Sequence, residues 1–149
     1  MEKLLVSACL LGCECRYDVK SKPNEDVLRL REKYELIPVC PEQLGGLPTP
    51  RLPSERIGKR VVMRDGTDVT AQYEKGAETA LYLAKTLGAT AAVLKARSPS
   101  CGCGEIYDGS FTGRLIQEDG VTASLLLRNG IFVTTEETLD ALPKFEKEY

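Results

Sequence analysis

Four short apolar runs, each bounded by polar or turn residues, are the feature that most limits how this chain can fold. They occupy residues 3–8, 36–39, 91–95 and 131–135. Apolar residues also recur at helical spacing over residues 25–33, 68–87 and 121–128. Strands that alternate with helices favour parallel β-α-β units, because parallel strands need long crossover connections. The pattern predicts an α/β fold, a three-layer sandwich with a mostly parallel, Rossmann-like sheet of about four to five strands.

One residue and one segment complicate this pattern. Pro38 lies inside the second apolar run, which predicts an edge strand or a strand cut short and gives the best support for an alternative α+β fold. Residues 41–60 are rich in proline and glycine, so little regular structure is expected there. Loops longer than about 12–15 residues are usually functional or disordered, and the charged residues of this segment favour a function.

Turn and cap signals predict two smaller elements. The Asp65-Gly66 pair indicates a turn, so a small hairpin is expected around residues 60–63 and those that follow. Thr134 and Glu137 have the spacing of a capping box, which predicts a last helix over residues 136–141.

Length and charge limit the class of protein. A chain of 149 residues fits one domain, residues 1–149. The formal net charge of −2 gives no basic surface that would indicate a nucleic-acid partner. No run approaches the ~18 apolar residues of a membrane helix, so no membrane partner is expected.

Residues 6–9 resemble a lipoprotein cleavage box, but only Leu4 and Leu5 precede them as an apolar run. A signal peptide needs an apolar stretch of about 7–15 residues. We interpret this segment as the first strand and expect a cytoplasmic protein.

Cysteine and histidine usage restricts the chemistry. Histidine is absent, which excludes Ser-His-Asp and Cys-His catalysis and any histidine-ligated metal. A disulfide scaffold would suit a small secreted chain, but this chain has enough apolar residues to form a core without cross-links. Clustered cysteines in an intracellular chain more often bind metal or take part in catalysis. The six cysteines are Cys9, Cys13, Cys15, Cys40, Cys101 and Cys103.

Three of these cysteines follow predicted strands. Cys9 ends the first strand, Cys40 ends the second, and Cys101 follows the third after a short loop. The carboxyl ends of parallel strands meet at one edge of a sheet, so the topology would bring the three thiols together. Three thiolates suit zinc with one open position or an iron–sulfur cluster with one iron free of protein ligands. The spacing of the three cysteines does not distinguish the zinc site from the cluster, although ligation without histidine favours an iron–sulfur cluster. Cys13, Cys15 and Cys103 are not expected to be primary ligands.

Polar residues near the same edge supply further candidates. Glu42 lies two residues after Cys40, where a carboxylate could act as a general base. The guanidinium of Arg51 could bind an anionic group through two hydrogen bonds. Asp18 follows the first strand at the same edge of the sheet. Residues 98–102 form a turn rich in hydroxyls and backbone N–H groups, of the kind that binds anions.

The chain resembles the thiouracil desulfidase family in several specific sequence motifs, which occur in the same order over almost the whole chain. The motifs are SACLLG at residues 7–12, RYD at 16–18, CPE at 40–42, PTPR at 48–51, SPSCG at 98–102 and IYDGSF at 106–111. The resemblance implies a 4Fe-4S cluster with one open iron, held by residues that match Cys9, Cys40 and Cys101. It also implies that water replaces the sulfur of a thiolated uracil, which gives uracil and sulfide without net redox change.

The resemblance also assigns roles to single residues. The acid–base carboxylate of the family matches Glu42 and its catalytic serine matches Ser98. Ser100, Lys95, Arg51 and Asp18 are then expected to bind the substrate, a small thiolated pyrimidine. Two rival functions remain at this stage: a zinc-thiolate hydrolase, and a non-catalytic domain that binds a small molecule or anion.

Overall fold

The structure, a computed structural model, describes residues 1–143. Short 3₁₀ turns occupy Ala8–Leu11, Leu30–Glu32 and Leu139–Ala141. The β-strands, in chain order, are β1 (Glu2–Ser7), β2 (Tyr34–Val39), β3 (Ser54–Ile57), β4 (Arg60–Met63), β5 (Ala89–Leu94), β6 (Ile106–Tyr107), β7 (Leu115–Ile116) and β8 (Phe132–Thr135). The α-helices are α1 (Glu25–Arg29), α2 (Pro41–Leu44), α3 (Thr70–Leu87) and α4 (Val121–Arg128).

A four-stranded sheet with the order β2-β1-β5-β8 forms the centre of the molecule. All of its neighbouring strands run parallel. Pro38 lies on β2 at the edge of the sheet, where its missing N–H leaves no gap in the interior pairing. The α/β fold with a parallel four-stranded sheet is therefore confirmed, and the α+β alternative is not needed to explain Pro38.

Alternation along β1 divides the core into two layers. Leu5 packs on one face of the sheet with alanines of α3 and with Leu126 of α4. Leu4 and Val6 point to the other face, where they pack with Val27 of α1. Successive side chains of a strand face opposite sides, so one apolar run serves both layers. Among residues 1–143, none of the helices combines the length and the apolar content needed to cross a bilayer.

Two local predictions were wrong, and a third was confirmed only in part. Residues 41–60 contain α2, β3 and the first residue of β4, because Pro41 starts a helical turn and β3 pairs antiparallel with β4. The turn predicted at Asp65-Gly66 forms, and the residues after β4 return to it in an antiparallel bridge between Val62 and Asp68. The strand that forms the full hairpin with β4 is β3, which precedes it. The last helix is reduced to the turn Leu139–Ala141, because the Thr134 hydroxyl bonds to Thr138 instead of capping a helix.

Candidate active site

A cavity of about 540 Å³ opens at the carboxyl ends of β1, β2 and β5. This position lies beside the point where the strand order reverses, which is where open parallel sheets bind ligands. The volume lies in the range of small-molecule sites. Its lining includes four cysteines, Cys9, Cys15, Cys40 and Cys101. The three cysteines predicted from strand ends therefore do share one cavity.

The first two strands deliver their cysteines through tight turns. Cys9 lies in the 3₁₀ turn Ala8–Leu11, and its carbonyl oxygen accepts bonds from Gly12 and Lys22. Gly12 closes that turn with a φ of 102°, a conformation that favours glycine. Cys40 is the N-cap of α2, and its carbonyl oxygen accepts the Leu44 N–H at 2.9 Å. Both cysteines thus have fixed backbones at the cavity.

The third cysteine is held by a turn that packs on the start of α4. The Ser98 hydroxyl oxygen accepts the backbone N–H of Ser100 and of Cys101, at 3.2 and 3.1 Å. The carbonyl oxygens of Pro99 and Ser100 accept the first N–H groups of α4. A Cβ on Gly120 would lie 2.5 Å from the Ser100 carbonyl, so only glycine permits this approach.

Cys15 also lines the cavity, although no pattern in the sequence groups it with the strand-end cysteines. It is buried, and its carbonyl oxygen accepts a guanidinium N–H of Arg51 at 3.0 Å and the Cys40 thiol at 3.7 Å. Its own thiol interacts with those of Cys9 and Cys40. Cys13 is exposed, and the Cys103 thiol points to the Val133 carbonyl oxygen.

Burial and contacts between neighbouring thiols favour the neutral form of Cys15, Cys40 and Cys101. The hydrogen bond with Cys40 lowers the pKa of Cys15, but the bond with Cys9 and burial outweigh it and raise that pKa to about 11. The contact with Cys15, together with burial, raises the pKa of Cys40 far above its usual range. Burial raises the pKa of Cys101 to about 12. A bound metal would displace these protons, because thiolates are the form that ligates.

The donor set fits an iron–sulfur cluster by its chemistry. Thiolates are the usual ligands of such clusters, and four cysteines line one cavity. Within residues 1–143, no three Cys, His, Asp or Glu side chains are close enough to hold a single metal ion.

Glu42 faces the same cavity with both carboxylate oxygens engaged. Arg51 donates to Oε2 at 2.6 Å, and the Tyr73 phenol donates to Oε1. The Arg51 side chain is only 2% exposed and is held further by Thr49 and the Pro48 carbonyl. Burial lowers the pKa of the Arg51 guanidinium, but the adjacent Glu42 carboxylate more than offsets this effect and raises it.

Two glycines allow Tyr73 to reach Glu42. A Cβ on Gly45 would lie 1.9 Å from the carbonyl oxygen of Gln72, and one on Gly76 would lie 1.9 Å from that of Pro41. These contacts bring the backbone of α2 directly against α3. The sequence pattern placed Tyr73 in an apolar stripe, and nothing in that pattern indicated its partner.

The other predicted residues divide into two groups. Ser98 and Lys95 line the cavity, and the Lys95 ammonium pairs with Glu136 at 3.0 Å. Ser100, Arg51 and Asp18 lie outside the lining: the Ser100 hydroxyl bonds to Thr122, Arg51 lies behind Glu42, and Asp18 accepts the Lys20 N–H at the surface. Direct substrate contact by these three stays a prediction without support from the cavity lining.

Comparisons with known proteins identify the family of the whole chain. A family model described as 2-thiouracil desulfurase matches residues 4–138. A relative from Bacillus subtilis (strain 168), uncharacterized protein YbbK, is 42% identical over 147 residues that cover 92% of this chain and 97% of the relative. A solved structure of the 4Fe-4S-dependent thiouracil desulfidase TudS is similar with a TM-score of 0.90 and 47% identity, and the match covers 95% of each chain.

Proposed function

The chain belongs to the 2-thiouracil desulfurase family, and from this we propose that it removes sulfur from a thiolated uracil in the cavity at the strand ends. The reaction exchanges the C=S group of the base and one water for C=O and hydrogen sulfide, so no electrons are gained or lost. The observation that carries the proposal is the group of thiols beside Glu42 in one cavity. A small thiolated pyrimidine is the proposed partner.

We propose Cys9, Cys40 and Cys101 as the ligands of a 4Fe-4S cluster. Each follows a different strand of the central sheet and each lines the cavity, which supports their use as a set. When bound, a cluster with one iron free of protein ligands supplies a soft acceptor for sulfur and polarises the C–S bond. Cys15 lies beside the Cys9 and Cys40 thiols and is proposed to remain unligated.

Glu42 is proposed to take the proton of the attacking water. Its oxygens accept one bond each from Arg51 and Tyr73, while an ionised carboxylate has about four acceptor positions. Free lone pairs therefore remain for a water in the cavity, toward which the side chain is 20% exposed. The two buried donors hold the carboxylate in one orientation, which general-base catalysis requires. Protonated Glu42 then returns this proton to the sulfur, and the carboxylate passes on the second proton, which leaves the added oxygen as C=O forms and hydrogen sulfide departs.

Ser98 is proposed to donate a hydrogen bond to the substrate. Its oxygen accepts two backbone N–H groups, so its own hydrogen is available to a neighbour in the cavity. Lys95 lines the same region, with its ammonium held by Glu136 and the Ala96 carbonyl oxygen. Donors at these positions would stabilise negative charge that develops on the pyrimidine as water attacks.

One experiment separates the proposal from its two rivals. The chain is purified without oxygen, and iron, zinc and acid-labile sulfide are measured before 2-thiouracil is added. We expect iron and labile sulfide, followed by equal amounts of uracil and released sulfide. Zinc without iron would favour the thiolate hydrolase, and a metal-free chain that leaves 2-thiouracil intact would favour a binding domain. Cys101→Ser is the matched control that should contain no cluster and release no sulfide.

A further inference from the structure

The loop that joins β6 to β7, residues 108–114, places an aromatic ring at the cavity. Phe111 lines the cavity, and the Arg64 guanidinium lies 5.8 Å from the centroid of its ring. Phe111 has a φ of 57°, in the left-handed region that a bulky residue rarely occupies. Such backbone strain persists only where the surroundings enforce it, and it is common where ligands are held.

Glu55 enforces this conformation from β3. Its side chain is largely buried, and Oε1 accepts the backbone N–H of Gly109 at 3.0 Å and of Phe111 at 3.1 Å. Among residues 1–143, Glu55 forms no ion pair, so these N–H groups are what compensates its burial. A Cβ on Gly109 would lie 2.3 Å from Ile57, which shows how closely the loop is pressed onto β3.

We infer that Glu55 and the β6–β7 loop hold Phe111 as a platform on which the pyrimidine ring of the substrate stacks. This inference rests on the proposed function. The thiols, Glu42 and Ser98 would lie at the sulfur, the water and the polar edge of the base, and none of them offers a flat apolar surface. Tyr17 and Tyr107 also line the cavity, but Phe111 is the aromatic residue whose backbone is held by a buried side chain. A planar base stacks favourably on an aromatic side chain. Phe111 is thus a residue that contacts substrate, and Glu55 is a positioning residue that acts through it.

The test measures binding of uracil to the cluster-loaded chain by anaerobic calorimetry. Uracil has the ring of the substrate but no sulfur, so its affinity reports ring contacts apart from any bond between sulfur and iron. Phe111→Leu keeps an apolar side chain and removes the aromatic face, and we expect the Kd for uracil to rise roughly 5- to 100-fold. Phe111→Tyr should bind uracil as the unchanged chain does. Phe132→Leu, which alters a phenylalanine on β8 outside the cavity lining, is the matched control.

A double-mutant cycle tests the role given to Glu55. Glu55→Ala should weaken uracil binding in the chain that keeps Phe111, and it should add nothing in the Phe111→Leu background. Glu118→Ala removes an exposed glutamate and should change neither value. Iron content should be the same in all variants, because neither residue is a proposed ligand. Glu55→Ala also serves as the second variant if Phe111→Leu does not fold.

The outcomes that overturn the inference are distinct from failure of the proposed function. If the unchanged chain desulfurises 2-thiouracil while Phe111→Leu retains its Kd for uracil and its KM for 2-thiouracil, the platform is wrong and the function stands. If the effects of Glu55→Ala and Phe111→Leu simply add, Glu55 does not act through the ring. If the unchanged chain neither binds uracil nor releases sulfide, the proposed function is wrong and the inference falls with it.

Discussion

The Tyr73 phenol donates a hydrogen bond to Oε1 of Glu42, and this contact links the apolar core to the cavity. Tyr73 is 2% exposed and packs in a core cluster with Leu47, Val61 and Val69. Burial and the negative charge of Glu42 raise the pKa of Tyr73 well above its usual range, so the phenol remains a donor. With Arg51 on the other oxygen, the carboxylate has a defined orientation toward the cavity.

Removal of this phenol should slow the reaction without emptying the site. Tyr73→Phe leaves one oxygen of Glu42 without its buried donor, so the carboxylate can rotate away from the attacking water. We expect kcat for 2-thiouracil to fall about 10- to 100-fold, with iron content and KM nearly unchanged. Tyr82→Phe is the control, because Tyr82 lies on the same helix and is 65% exposed. Equal kcat values for Tyr73→Phe and the unchanged chain would contradict a positioning role.

Loss of the carboxylate itself should have a larger effect. Glu42→Gln keeps the size of the side chain and an oxygen that accepts from Arg51, but an amide cannot take a proton from water. General-base catalysis typically contributes about 10²- to 10⁴-fold, so we expect turnover to fall by that factor. Iron content and uracil binding should persist. Unchanged turnover would exclude Glu42 as the base, whereas loss of iron would show that it supports the structure of the site instead.

Arg51 should matter for stability as well as for catalysis. Arg51→Ala leaves the carboxylate of Glu42 and the carbonyl oxygen of Cys15 without their shared donor. Breaking a buried ion pair by removing one partner costs about 3–5 kcal/mol of unfolding free energy, and we expect a value near the lower end. Arg60→Ala is the control: its pair with Asp68 is exposed and should change stability by less than about 1 kcal/mol. Urea denaturation of both variants measures the difference, and equal losses would refute it.

Short-range patterns were sufficient to predict most of the fold. The apolar stripe of α3 and the four strand runs depend on neighbours a few positions away, and helix α4 was predicted with its observed bounds, Val121–Arg128. Residues 41–60 were harder, because composition alone does not reveal that β3 finds its partner just across a two-residue turn. Proline and glycine indicated turns correctly but gave no information on the short elements between them.

The candidate site was predictable only as far as topology determines it. Cys9, Cys40 and Cys101 share a cavity because each follows a parallel strand, and the order of elements already implied this. Tyr73 reaches Glu42 through a close helix contact that depends on two distant glycines, and periodicity classifies a tyrosine simply as core. Cys15 enters the cavity because the chain turns back after β1, a local path that no spacing rule gives.

Serine variants should separate ligand cysteines from their neighbours. A serine hydroxyl is a harder and far less acidic ligand than a thiol, so Cys9→Ser, Cys40→Ser and Cys101→Ser should each abolish stable iron binding. Cys13→Ser and Cys103→Ser should keep the iron of the unchanged chain. Iron and labile sulfide, measured after anaerobic purification, decide each case. The ligand set is wrong if Cys103→Ser empties the site while Cys101→Ser does not.

Cys15→Ser is the sharpest variant of this series, because Cys15 lies in the cavity beside two proposed ligands. A site that uses three thiolates should retain its iron and its turnover when Cys15 is changed. If the single change Cys15→Ser removes the iron, Cys15 is a ligand, and one of Cys9, Cys40 and Cys101 would have to be reassigned.

The stability of the cluster-free chain should fall in alkali because of its buried thiols. An ordinary cysteine thiol ionises near pH 9.0, whereas burial raises the pKa of Cys101 to about 12 and interactions with its neighbours and burial raise that of Cys15 to about 11. Below the ordinary value, thiols are neutral in both the folded and the unfolded chain, and the preference of the fold for neutral thiols contributes fully. As the pH rises from there toward the folded values, only the unfolded chain ionises, so this contribution is lost.

Urea midpoints of the cluster-free chain at about pH 8 and about pH 10 measure this loss. Cys101→Ala removes one buried thiol and should reduce the fall between the two conditions, whereas Cys13→Ala changes an exposed cysteine and should leave it as it was. In the loaded chain the ligand thiols are already ionised, so the fall due to them should disappear. Identical falls in Cys101→Ala and Cys13→Ala would show that the buried thiols are not responsible for the alkaline instability.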